Sequence, residues 1–179
     1  MTKTPHAGRV RQALREATMV NHQRVDELFA HFSLDNSEGY GAFLKAHARA
    51  LAPLEAVARP ETPRLPMLAQ DLAALGEALP APLAMESRPG EAFRWGALYA
   101  LEGSRLGGAM QERRVAPGLP RAYLSAVHGR GGWVAFQQSL DAAAQEGGDA
   151  WVGGAIAGAE AAFALFAAAA TAERGNAHG

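Results

Sequence analysis

Apolar residues return every three or four positions along almost the whole chain, and no stretch keeps the two-residue alternation of a strand. Val10, Leu14, Ala17, Val25, Leu28 and Phe29 share one face of a first predicted helix, about Gly8 to Phe32. The Asp35-Asn36-Ser37 cluster predicts a turn, with Ser37 as N-cap of a second helix over about Glu38 to Ala58. Pro53 is expected to bend that helix, because proline lacks the amide donor and crowds the preceding turn. A linker carrying Pro60, Pro63 and Pro66 leads to a third helix, about Met67 to Leu79, and Pro80, Pro82 and Pro89 break the chain again. The fourth helix, about Gly90 to Val115, is long and contains Gly96, Gly103, Gly107 and Gly108. Pro120–His128 reads as a short fifth helix, Gly132 to Gln145 as a sixth and Asp149 to Glu173 as the last. The fold class is therefore all-α: a single-domain helical bundle of about seven helices over residues 1–179, with 1–7 and 175–179 as flexible tails.

Composition narrows the function more than the fold. The 179 residues contain no cysteine, which excludes disulfides, zinc–thiolate sites, iron–sulfur clusters and thiolate nucleophiles. Any metal must be held by histidine, carboxylate or backbone oxygen. Seventeen basic residues against eighteen acidic ones leave no basic stripe, so no nucleic-acid partner is expected. Met1–Val10 is polar, without the apolar core of a signal peptide, and predicts a cytoplasmic protein. Ala150–Thr171 is apolar enough to raise a membrane question, but Glu160 and several glycines favour a packed amphipathic helix, and no membrane partner is expected.

Two places could carry chemistry. His22 falls about 80° round the first helix from Leu14, at the edge of the apolar face, with Asp26 one turn on. A metal-bound imidazole uses one nitrogen for the metal and gives the other to an oxygen that fixes its tautomer, and this i, i+4 pair supplies both parts. The same spacing also makes an ordinary ion pair on a helix flank. The second place is Gly103-Ser104-Arg105-Leu106-Gly107-Gly108. Each glycine costs about 1 kcal/mol against alanine inside a helix, so three in six residues should kink or partly unwind it. Glycine lets a flat partner approach the backbone closely; it equally serves a loop or a close helix–helix contact. Among the other histidines, His47 reads as a core or boundary residue, His31 and His128 fall near helix ends, and His6 and His178 lie in the tails. There is no Glu-x-x-His pair for a di-iron site, no phosphate-binding glycine loop and no Gly-x-Ser-x-Gly. Together the two places outline a sandwich, with one axial histidine and an open glycine-lined far side, which suits haem that must also admit oxygen.

Leu14-Arg15-x-Ala17-Thr18-x-x-x-His22 resembles the start of the haem oxygenases. Gly96-x-Leu98-Tyr99-x-Leu101-Glu102-Gly103-Ser104-x-Leu106-Gly107-Gly108 resembles the distal helix of their bacterial, bacteriophytochrome-associated branch. Tyr40-x-x-Phe43-Leu44-x-x-His47, Pro53-Leu54-Glu55, Asp71-Leu72-x-x-Leu75, Trp133-x-x-Phe136 and Leu140 extend the similarity along nearly the whole chain. The resemblance implies a haem oxygenase-like fold in which haem is both cofactor and substrate. His22 would ligate the iron, Asp26 would orient it, and Gly103, Gly107 and Gly108 would bring backbone over the distal face. Arg15, with Arg113 and Arg114, would reach the propionates. It further implies cleavage of haem with O2 to biliverdin, carbon monoxide and ferrous iron. An electron donor of the ferredoxin or reductase kind is required, and a bacteriophytochrome is a possible bilin acceptor. Better-known members carry an aspartate after the first distal glycine, where it organises water for proton delivery. Ser104 stands there in this chain, so the resemblance implies a proton network built from Ser104 and water.

Overall fold

The computed structural model describes residues 8–145 and 147–177, and within them the chain forms helices and no strand. Six helices follow in order: α1 (Arg9–Phe29), α2 (Ser37–Ala58), α3 (Leu65–Ala74), α4 (Glu91–Glu112), α5 (Gly132–Ala144) and α6 (Gly148–Ala177). The all-α class holds, with six helices rather than seven among the described residues. Residues 1–7, 178 and 179, expected as tails and carrying His6 and His178, lie outside the described residues, whereas Gly175 still belongs to α6.

The differences from the sequence expectation have local physical causes. Asn36, not Ser37, is the N-cap of α2, its side chain accepting from the Gly39 amide at 2.8 Å. Helix α2 continues through Pro53 to Ala58. Helix α3 starts two residues early because the Glu55 carboxylate takes the otherwise orphaned amides of Arg64 and Leu65 at 2.6 and 3.2 Å. It stops at Ala74, where Gly76, at φ 75°, closes a Schellman cap with Gly76 N–H to Ala73 O and Glu77 N–H to Leu72 O. The expected helix over Pro120–His128 is absent. Its Ala122 and Tyr123 amides donate instead to the buried Asp71 carboxylate at 3.1 and 2.9 Å, leaving a single turn there. The glycine-rich part of α4 is not unwound, and the helix runs unbroken through Gly103, Gly107 and Gly108.

Helix α6 is the centre of the molecule. Helices α1, α2 and α4 all pack chiefly on it, while α1 and α4 make at most marginal contact with each other. Its Gly148–Gly175 span is long and apolar enough to cross a membrane, with mean hydropathy 1.6, and half of its most apolar window is buried in this fold. The α4–α6 crossing is very close. A Cβ on Gly96 would stand 1.7 Å from the Ala155 carbonyl oxygen, and one on Gly158 2.0 Å from the Phe93 carbonyl oxygen. In the main core, Leu44, Leu51 and Leu54 of α2, Leu68 and Leu72 of α3 and Leu101 of α4 are fully buried, each contributing about 1.5–3 kcal/mol of burial. Helices α1 and α4 thus flank a common support without closing on each other.

Candidate functional site

On α1, helical spacing puts Arg15, Met19, His22 and Asp26 in one stripe about 60° wide. All four are exposed, and Met19, an apolar side chain, is 60% exposed. His22 Nδ1 lies 3.1 Å from Asp26 Oδ2, and the ring stands edge-on to Phe163 of α6 with centroids 5.7 Å apart. A carboxylate at Nδ1 favours the tautomer with hydrogen on that nitrogen, which leaves the Nε2 lone pair free for a ligand.

On α4, Tyr99, Gly103, Leu106, Gly107 and Met110 share a stripe about 100° wide. Leu106 and Met110 are 47% and 73% exposed. At Gly103 a Cβ would meet only Trp133, at 3.7 Å, and at Gly107 nothing within 4 Å. Packing therefore does not require glycine at either position. Gly108 differs: it is buried, and a Cβ there would stand 3.2 Å from the Leu124 carbonyl oxygen. Its backbone faces the interior rather than the open stripe. Half-burial raises the Tyr99 hydroxyl pKa, and the Arg15 guanidinium draws it down. Trp133 of α5 continues the wall, 6.0 Å from the Tyr99 ring and stacked at 5.5 Å on Phe136. Arg113 and Arg114 stand exposed just beyond the end of α4.

Ser104 lies about 100° round the helix from Gly103. Its hydroxyl donates to the Leu101 carbonyl at 2.6 Å and accepts from Arg64 Nη2 at 2.5 Å, so both roles are taken. Arg64 is 1% exposed and lies over the Tyr123 ring at 4.8 Å. Tyr123 in turn bonds His47 Nδ1 at 2.7 Å. Burial, with Arg64 nearby, pushes the His47 pKa down to about 3, so the imidazole is neutral. It is the core histidine its apolar neighbours suggested, with Nε2 left without a partner. Beside this group, buried Arg105 pairs with Glu102 at 2.7 Å, and His128 Nε2 bonds the Glu102 carbonyl at 3.0 Å.

The structure thus joins His22 to Asp26 and puts Arg15 on the same exposed stripe of α1. It separates Gly103 and Gly107, on the open stripe, from Ser104 and Gly108. No α1 atom comes within 4 Å of a Cβ built at Gly103 or Gly107. Met19, Leu106 and Met110 were missed as site residues, although their three- or four-residue spacing from Arg15, His22, Gly103 and Gly107 could have found them. Arg64 gave no sequence signal, since its partners Ser104 and Tyr123 lie far away in the chain, whereas the Glu102–Arg105 pair has an i, i+3 spacing that could have been read. No group of three or more His, Asp or Glu able to hold a metal exists among the described residues, so a bare metal ion has no cage. An open concavity of about 380 Å³ lies elsewhere, between Arg59, Arg88 and Arg94, and contains none of these residues.

No protein-family model matches the chain. A heme oxygenase of Xanthomonas campestris pv. campestris (strain 8004) is 41% identical over 113 residues, which span 58% of this chain and 64% of that protein. The match therefore covers less than two thirds of the relative's length. The structure of the heme oxygenase of Neisseria meningitidis, solved with NO and CO bound, superposes with a TM-score of 0.77 at 27% identity, covering 93% of this chain and 92% of that one. The chain has the fold of that protein.

Proposed function

We propose that this chain is a haem oxygenase of one domain, holding haem between α1 and α4 with His22 as the iron ligand. With O2 and reductant it would convert the haem to biliverdin, carbon monoxide and ferrous iron in the cytoplasm. The reading is supported by two features, one on each of two helices that flank α6. One is an exposed imidazole engaged at Nδ1 by Asp26, and the other is a stretch of α4 where Gly107 has nothing within 4 Å of a Cβ position. The residues fit the group. A neutral imidazole nitrogen is a suitable iron ligand, and Met19, Leu106 and Met110 offer exposed apolar surface for a flat macrocycle. The missing side chains of Gly103 and Gly107 leave room for it.

Bound haem would supply both the metal that activates O2 and the ring that is consumed. The chain's own residues do the rest. Asp26 orients His22, and Gly103 and Gly107 set how closely backbone lies over the ring. Arg15 is proposed to meet one propionate, and Arg113 and Arg114 the other. Gly108 acts at one remove, through close packing of α4 on Leu124. Ser104 remains the proposed proton-bearing group. Because its hydrogen is given to the Leu101 carbonyl, delivery from Ser104 requires that bond to be exchanged for one to water. A ferredoxin- or reductase-like protein is the proposed electron donor, and a bacteriophytochrome the proposed bilin acceptor. The engagement of Ser104 by Arg64 favours one second reading, a haem-binding protein of this fold that does not turn over.

Absorbance titration with hemin, then addition of reductant in air, separates these. The enzyme gives a one-to-one Soret band that bleaches while a broad biliverdin band grows, and His22→Ala loses the imidazole–haem spectrum. A stable Soret band that never bleaches selects the binding protein. A wild-type Soret band in His22→Ala removes the ligand assignment.

A further inference from the structure

Arg105 sits between Gly103 and Gly107 in sequence and, by helical arithmetic, about 160–200° from both, on the opposite face of α4. It is 5% exposed. Its Nη2 donates to the Thr62 carbonyl at 2.5 Å and to the Thr62 hydroxyl at 3.2 Å, its Nη1 donates to the Ala126 carbonyl at 3.3 Å, and its Nε lies 2.7 Å from Glu102 Oε2. Thr62 and Ala126 belong to segments that are not helical and are held from elsewhere. The first is followed by the Arg64 and Leu65 amides bound to Glu55, the second preceded by the Ala122 and Tyr123 amides bound to Asp71. On the front of α4 nothing restrains Gly107, and each glycine weakens the helix locally by about 1 kcal/mol. The stretch is therefore held mainly from behind.

We propose that Arg105 is a positioning residue: it fixes the rotation of α4 about its own axis, and so the direction in which the Gly103–Gly107 backbone faces. A guanidinium suits this task because its donors form a rigid planar fork that fixes direction as well as distance; an ammonium is a point charge on a flexible stem. The effect on the helix is independent of any ligand. The effect on turnover rests on the haem oxygenase reading and enters through the placement of backbone over the macrocycle, without contact between Arg105 and haem.

The test uses the whole protein carrying Arg105→Lys or Arg105→Met, with Glu102→Gln as a milder variant. In the ligand-free protein, amide exchange over residues 103–112 is expected to rise about tenfold or more while α6 keeps its protection. With hemin, affinity is expected to stay within about threefold of wild type while the bleaching rate falls about tenfold and the ratio of biliverdin isomers changes. Unchanged exchange at 103–112 overturns the proposal, as does a uniform rise across α2, α4 and α6, which would show only a general loss of stability. A Lys variant with wild-type turnover and isomer ratio overturns the catalytic consequence. If Arg105→Met does not fold, Arg105→Lys and Glu102→Gln decide. If the wild-type chain binds no hemin, the haem reading fails while the exchange measurement still decides whether Arg105 positions the helix.

Discussion

The two halves of α4 use the same residue for opposite reasons. In the first half Gly96 is pressed against Ala155, with Gly158 and Gly154 of α6 pressed in return on Phe93 and Ala92, so that any Cβ would collide with the facing helix. In the second half Gly107 faces open space and a Cβ on Gly103 would meet only Trp133 at an ordinary 3.7 Å, so packing does not offset their cost in helix propensity. Gly108 stands between the two cases, close to the Leu124 carbonyl. Glycine demanded by packing is a structural residue. Glycine that packing does not demand has no reason within the chain, and the proposed haem is what would supply one.

The sharpest way to break the comparison is at the crossing. Gly158→Ala should cost about 3 kcal/mol or more through overpacking, and thermal melts should fall by roughly 6–12 °C for a domain of this size. A wild-type melt would mean that α4 and α6 do not approach so closely. Next in size is Ser104→Ala, which takes an acceptor from the buried Arg64 and should cost about 1–2 kcal/mol in urea unfolding. No change would show that Ser104 is free to face the opening. At the open end the sign reverses: Gly107→Ala should stabilise the ligand-free protein by up to about 1 kcal/mol. Gly107→Leu should likewise fold without loss yet weaken hemin binding or turnover, so a destabilised Gly107→Ala would remove the open stripe. The smallest stability effect is at Asp26→Asn. Its pair with His22 is more than half exposed, so unfolding should shift by less than about 0.5 kcal/mol. The hemin spectrum and affinity should nevertheless change, since the tautomer of His22 is no longer held; an unchanged hemin complex would leave Asp26 a surface residue.

Much of this was legible in the chain because helices are local objects. The three-to-four-residue rhythm predicts α1, α2, α4, α5 and α6 to within a few residues at most ends. The separation of His22 from Asp26 follows from helix pitch alone, so the 3.1 Å pair needs only that α1 form. Pro120–His128 misled because its composition suits a helix, while its amides are claimed by Asp71, about fifty residues earlier. The glycine run misled in the other direction: its propensity argues for unwinding, and tertiary support from Arg64, Arg105 and Leu124 overrides it.

The sequence by itself therefore determined the helical class, the absence of thiol chemistry and the pairing of one histidine with one carboxylate, since each depends on composition or on contacts within a single helix. Only the tertiary structure decided which glycines are pressed and which are open, and that Ser104 turns toward Arg64 while Gly107 turns away. Those outcomes depend on where α6 and the segments around Thr62 and Ala126 lie against α4. Long-range partners of that kind are set by the packing of the whole core, and no local spacing encodes them.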